Sequence, residues 1–191
     1  MSQTVLITGA SNGIGKACAR VFARKGYDLV LVARHREKLD AVKAELSEYD
    51  VQIKVIAMDL TGEDAAVDLY NNLVLDDISI DILVNNAGLA VGTSPIQDGI
   101  LDDWERMIDT NVRAVHILTK LAVRDFVQRG RGYILNVSSS AGFLPGPLMA
   151  TYYATKNYVL RLTEALREEL RRAGSPVRVC ALCPGPVDTE F

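Results

Sequence analysis

The chain has 191 residues, 49% of them hydrophobic, and a formal net charge of −3. That length and apolar content suffice to bury a core and point to one domain spanning 1–191, while interspersed acidic and basic residues with a mild negative balance argue against a nucleic-acid partner. No apolar run approaches membrane-spanning length, and the apolar TVLIT after Met1 is too short for a signal h-region and lacks a cleavage site, so cytoplasmic residence without a membrane partner is expected.

Short runs of Val, Ile and Leu alternate with longer amphipathic stretches. In chain order, the spacing predicts strand Thr4–Thr8, helix Gly13–Lys25, strand Leu29–Val32, helix Glu37–Tyr49, strand Ile53–Met58, helix Ala65–Leu75, strand Ile80–Val84, helix Asp102–Arg129, strand Tyr133–Val137, helix Thr151–Arg172 and strand Val177–Leu182. The strand runs are continuous rather than alternating, as in strands covered on both faces. The pattern implies an α/β domain with a doubly wound parallel sheet and helices on both faces, and right-handed crossovers leave the strand order 3-2-1-4-5-6 as the leading one. There is no repeat, low-complexity tract or interdomain linker. Leu89 to Gly99 is the longest irregular segment between a strand and the next helix, the kind of loop that borders sites.

Ligands of such sheets bind beyond the carboxyl ends of the strands, so chemistry is expected there. After the first strand comes TGASNGIGKA, with Gly9, Gly13 and Gly15. Glycines here permit a tight turn, close approach of backbone to a pyrophosphate and close packing of the next helix, whose N-terminus favours phosphate charge. A tight turn that binds nothing is the weaker alternative, although the spacing departs from GxGxxG. The second strand ends in Ala33, Arg34, His35 and Arg36 where an NAD site typically places a carboxylate. A guanidinium pairs with a 2′-phosphate that a carboxylate would repel, so NADP(H) is favoured and NAD(H) remains possible; the alternative is that Arg34 and Arg36 are solvated charges opening a helix.

The third strand runs into Asp59 and Leu60, where Asp59 either accepts a hydrogen bond from an adenine amino group or caps the next helix. The fourth runs into VNNAG, Val84 to Gly88, with amides from Asn85 and Asn86 and a glycine that lets backbone approach a ligand; turn chemistry explains the same residues. The fifth runs into NVSSSAG, with three hydroxyls in a row, and the sixth into CPGPVDTEF. Of the three cysteines, Cys18, Cys180 and Cys183, the last two formally read as CxxC. Their spacing on a strand sends them to opposite faces, so neither a metal site nor a bridge is expected and both are read as core filler.

The segment ATYYATKN opens the last helix. Tyr152 and Lys156 lie about 40° apart around a helix axis and Tyr153 and Lys156 about 60° apart, so either phenol faces the ammonium. An aromatic packed beside a lysine stem is the structural alternative.

With these residues in view, the chain resembles the short-chain dehydrogenase/reductase family in its classical form, over nearly all of its length. TGASNGIG matches the family's TGxxxGxG turn, VNNAG its NNAG motif, DTNVRA its helix-interior asparagine segment, NVSSSAG its serine segment, YYATK its YxxxK pair and CPGPVDT its PG motif. The resemblance implies a Rossmann-type fold, catalytic roles for Asn111, Ser139, Tyr152 and Lys156, and no metal. It implies a cofactor site built from Gly9, Ser11, Asn12, Gly13, Ile14, Gly15, Arg34, Asp59, Leu60, Asn86, Ala87, Gly88, Tyr152, Lys156, Pro184, Gly185, Val187 and Thr189. Tyr152 becomes the proton donor and acceptor, Ser139 the group that steadies the substrate oxygen, and Tyr153 packing or a pocket wall. Lys156 promotes phenolate formation and holds the nicotinamide ribose, while Asn111 holds a water that links Lys156 to solvent.

The implied activity is hydride transfer between a nicotinamide cofactor and a small carbonyl or secondary alcohol. Small 3-hydroxy acids are suggested by DDWERMIDTN, with 3-oxoacyl thioesters and ketosteroids open. The alternatives are a catalytically weak NADP(H)-binding scaffold and a mainly structural role. Family members often pair through the two long helices, so a homodimer or homotetramer is expected. The family's substrate loop and seventh strand, which follow the PG motif, are expected to be absent from this chain.

Overall fold

The computed structural model describes residues 3–187. Its strands are β1 (Thr4–Thr8), β2 (Asp28–Ala33), β3 (Ile53–Ala57), β4 (Ile82–Asn85), β5 (Tyr133–Val137) and β6 (Arg178–Leu182). They form one six-stranded sheet in the order β3-β2-β1-β4-β5-β6, and every pairing is parallel. The helices are α1 (Gly13–Arg24), α2 (Arg36–Glu45), α3 (Ala65–Leu75), α4 (Leu101–Ile108), α5 (Val115–Arg129) and α6 (Ala150–Arg172). The sequence-derived class and strand order hold.

The continuous apolar runs have a direct cause. Leu6, Val30, Val32, Leu83 and Ile134 point into one core, where they meet Leu69 and Leu73 of α3 and Leu118 and Phe126 of α5. Val5, Ile7, Leu29, Leu31 and Val84 point into the other, against Ala19 and Ala23 of α1 and Leu39 and Val42 of α2. Each interior strand must be apolar on both faces because both are covered. The chain reverses direction across the sheet between β1 and β4, and the crevice this creates lies beyond their carboxyl ends.

Three local expectations are corrected. The predicted helix Asp102–Arg129 is interrupted by a π-helical turn, Asp109–Ala114, between α4 and α5. Helix α2 stops at Glu45, with Leu46 to Tyr49 in turns. Cys180 is exposed and Cys183 only partly buried, so neither is core filler. β6 is an edge strand on which Val179 enters the core beside Leu170 of α6, while Arg178, Cys180 and Leu182 lie exposed on the opposite face, which α1 and α2 do not reach. No helix among the described residues is long and apolar enough to cross a membrane.

The α5–β5 corner illustrates how tightly the core closes. Phe126 is fully buried, and a Cβ on Gly132 would sit 2.2 Å from its ring, so the glycine is needed where the chain turns back over the aromatic. The Arg129 guanidinium covers the same ring at 5.2 Å from its centroid. Phe126→Ala is expected to destabilise the fold by about 3–5 kcal/mol, read as a lower urea midpoint at unchanged slope.

Candidate active site

A cleft of about 560 Å³ opens at the carboxyl edge of the sheet. Its floor begins with the turn after β1. Gly9 and Gly13 have φ of 64° and 50°, the left-handed region that side chains disfavour. Gly15 is required by contact instead, because a Cβ there would lie 2.2 Å from the Gly9 carbonyl oxygen and 2.5 Å from Asn86 Nδ2. Helix α1 can therefore approach the sheet edge closely. The Asn12 side chain makes no capping hydrogen bond to it and its first turn holds no acidic residue, leaving a positive helix end beside the cleft.

Asn86 is a brace for that turn. Its Nδ2 donates to the carbonyls of Thr8 (3.1 Å) and Gly9 (2.9 Å), while its own backbone N–H and that of Ala87 donate to Thr8 Oγ1 at 3.1 and 3.0 Å. The VNNAG segment thus fixes the ends of β1 and β4 to each other. Gly9, Ser11, Asn12, Gly13, Ile14, Asn86, Ala87 and Gly88 all line the cleft; Gly15 shapes it from behind.

After β2 the cleft is lined by Arg34, His35 and Lys38. Arg36 turns away and donates from Nε to both oxygens of Asp40, one helical turn on, at 3.1 and 2.9 Å. Lys38 belongs to no motif of the sequence, and its i+4 spacing from Arg34 is the available signal. Asp59 and Leu60 also line this end. Asp59 caps its own turn, accepting from the N–H and Oγ1 of Thr61 at 3.1 and 3.0 Å, while α3 starts only at Ala65.

On the far wall, Ser139, Tyr152 and Lys156 come together with Pro184, Gly185 and Val187; Thr189 lies outside the described residues. Ser139 caps the short 3-10 turn Ser140–Phe143, its Oγ accepting from Ala141 N–H at 3.1 Å, which leaves its own proton to donate. Tyr152 and Tyr153 both line the cleft, ring centroids 6.1 Å apart and nearly perpendicular. Tyr153 packs flat against the loop at Gly146, where a Cβ would collide with its ring, so it is a wall.

Lys156 is 4% exposed. Its Nζ donates to the Val137 carbonyl at 3.2 Å and lies 5.8 Å from the centre of the Tyr152 ring. Its own carbonyl accepts from Ser138 Oγ at 2.7 Å, and Gly142 packs against it so closely that a Cβ would sit 2.9 Å from that oxygen. Burial pushes the ammonium down to about 8, partly offset by the neighbouring Cys183 thiol.

Asn111 does not line the cleft. The π turn buries its amide behind the wall, where Oδ1 accepts from Leu89 N–H and Nδ2 donates to Leu89 C=O, both at 2.8 Å, and Nδ2 donates again to Thr155 Oγ1 at 3.1 Å. Both amide hydrogens are engaged by protein, so a water could reach Asn111 only at an acceptor. Thr155 sits inside YYATK without being one of its motif positions; its buried place on the inner face of the helix is the only signal for it.

The lysine ties stability to pH. Its pKa lies below the ordinary lysine value in the folded chain, so the unfolded chain binds more protons between about pH 8 and 10.5 and stability rises with pH there. Relative to Lys156→Met, the stability of the parent chain is expected to increase by about 2–3 kcal/mol from pH 7 to pH 10, measured by urea unfolding.

The glycine turn, the positive helix end and the basic turn after β2 fit a phosphate-bearing dinucleotide laid across β1 and β4. Comparison with known proteins agrees in family. The chain is 39% identical over its full length to sulfoacetaldehyde reductase 2 of Chromohalobacter salexigens, covering 75% of that protein. It is 38% identical over 98% of its length to an NADP-dependent 3-hydroxy acid dehydrogenase of Salmonella typhi, covering 74% of it. A short-chain dehydrogenase from Sphingobium yanoikuyae, solved in complex with NADPH, superposes with a TM-score of 0.90 at 41% identity, covering 98% of this chain and 72% of that one. The family model for short chain dehydrogenases matches residues 3–191, and the chain belongs to that family of oxidoreductases.

Proposed function

We propose that the chain is an NADP(H)-dependent oxidoreductase that interconverts a carbonyl and a secondary alcohol, acting on a small 3-hydroxy acid, a 3-oxoacyl compound or a similar substrate. The observation that carries this reading is the convergence of Tyr152 and buried Lys156, from successive turns of α6, on the cleft that the glycine turn opens. The preference for the phosphorylated cofactor is supported by Arg34 just after β2 and Lys38 in the first turn of α2, which both line the cleft, and by the cofactors named for the Salmonella and Sphingobium relatives.

Bound here, NADP(H) supplies the hydride chemistry at the substrate carbon. The glycine turn and the α1 terminus hold its pyrophosphate, and Arg34 holds the 2′-phosphate. Tyr152 gives or takes the proton at the substrate oxygen. Ser139, whose proton is left to donate, binds the same oxygen and stabilises charge developing there. Lys156 remains mostly protonated at neutral pH with a pKa of about 8, and its cation stands beside Tyr152 on the wall of the cleft. Because its Nζ is anchored at the end of β5 with N–H groups to spare, Lys156 also holds the nicotinamide ribose. Assembly as a dimer or tetramer through α5 and α6 belongs to the same reading.

Tyr152→Phe is expected to lower NADPH oxidation with a panel of 3-oxo acids and ketones by about 10³-fold while leaving the fluorescence-measured Kd for NADPH within about threefold. A parent chain that binds NADPH and oxidises none of the panel would overturn the enzymatic reading in favour of a binding module. Arg34→Ala is expected to weaken NADPH about tenfold, a loss of about 1.4 kcal/mol, with NADH little changed.

A further inference from the structure

Helix α6 uses one device twice. Thr155, 3% exposed, donates its hydroxyl to the Tyr152 carbonyl at 2.7 Å. Thr163, 2% exposed and two turns on, donates to the Val159 carbonyl at 2.7 Å. A hydroxyl has one proton, so each threonine that spends it on its own helix can only accept from elsewhere. Each accepts from a buried asparagine: Thr155 from Asn111 Nδ2 at 3.1 Å and Thr163 from Asn136 Nδ2 at 2.9 Å. The two sites differ in what lies behind the bond. At Thr163 the partner is Asn136, a fully buried residue within β5. At Thr155 the partner is the amide that grips both polar groups of the Leu89 peptide, and Leu89 lines the cleft.

We propose that Thr155 is a positioning residue for catalysis: its hydroxyl couples the turn carrying Tyr152, through Asn111, to Leu89, which lines the same cleft. The inference rests on the reading of Tyr152 as the proton-transfer group. The first turn of α6 has no side-chain hydrogen bond at its Met149 cap, and the Thr155 hydroxyl, bonded to the Tyr152 carbonyl, ties this turn laterally to Asn111. Valine has the shape of threonine but neither donates nor accepts. Thr155→Val therefore removes the side-chain tie between the Tyr152 turn and Asn111 and leaves an Asn111 N–H unpaired, whereas Thr155→Ser keeps both bonds.

The test compares Thr155→Val, Thr155→Ser and Thr163→Val in the full chain, at a temperature where circular dichroism shows all of them folded. Thr155→Val should lower kcat for carbonyl reduction on the order of tenfold, with the Kd for NADPH unchanged within about twofold. Thr155→Ser should restore turnover, and Thr163→Val, which loses the same kind of buried bond, should lower the melting temperature but keep kcat. Hydrogen exchange should quicken at Leu89 and Ala150–Tyr153 in Thr155→Val alone. Equal kcat for Thr155→Val and the parent chain, or an equal fall in kcat for Thr163→Val, overturns the positioning role. A parent chain without turnover defeats the enzymatic reading instead, and the exchange pattern then decides the coupling by itself: unchanged exchange at Leu89 and the Tyr152 turn refutes it.

Discussion

A buried ammonium is the constraint around which the carboxyl edge of this sheet is arranged. Taking Lys156 out of water is unfavourable unless its charge is met by oriented dipoles. The Val137 carbonyl at the end of β5 supplies one. The lysine's own turn is in turn held by Ser138 and by the close approach of Gly142, and Asn157 Nδ2 ties the same loop by donating to the Gly142 carbonyl at 2.7 Å. The helix bearing the cation and the loop after β5 are thus locked together before any ligand arrives. Burial nonetheless leaves the pKa of Lys156 below the ordinary lysine value.

The opposite half of the cleft is organised by backbone rather than by charge. Gly9 and Gly15 let α1 lie against the end of β1, and Asn86 spends its side chain on the carbonyls of that turn. The two halves meet because the strand order reverses between β1 and β4. Behind the seam, Asn85 Nδ2 donates to Thr119 Oγ1 and Asn136 Oδ1 at 3.0 and 2.9 Å, which joins β4, α5 and β5 through polar groups deep in the core. Such groups are costly unless matched, so they favour one register of the strands over its neighbours.

Much of this was legible in the sequence, and the exceptions share a cause. Strand order and class could be read because burial on both faces leaves an unmistakable continuous run, and the glycine turn because few residues other than glycine accept its backbone. What failed depended on a neighbour the local pattern does not record. The π turn at Asp109–Ala114 adds a single residue to a helical repeat, too small a change for periodicity, yet it is what buries Asn111. Arg36 and Lys38 look equivalent beside Arg34, but Asp40 captures the first and the second reaches the cleft. Cys180 sits in an apolar run and is nonetheless exposed, because β6 is an edge strand and its outer face is bare among the described residues.

Asn111 shows how a motif can be recognised while the bonds that place its side chain cannot. The resemblance picks out the residue and implies a water held near Lys156. The geometry shows what its amide does, with Oδ1 and Nδ2 completing a two-bond clasp on the backbone N–H and C=O of Leu89 and the second amide hydrogen going to Thr155. A side chain used this way replaces strand pairing at the point where β4 has ended, because Leu89 lies beyond Asn85 and its peptide groups must find partners without a neighbouring strand. The π turn carries the residue whose amide reaches that spot. The cleft wall therefore includes a local irregularity in a helix that the sequence presents as regular, and the three hydrogen bonds of the Asn111 amide, one buried and two part-buried, are made from within it.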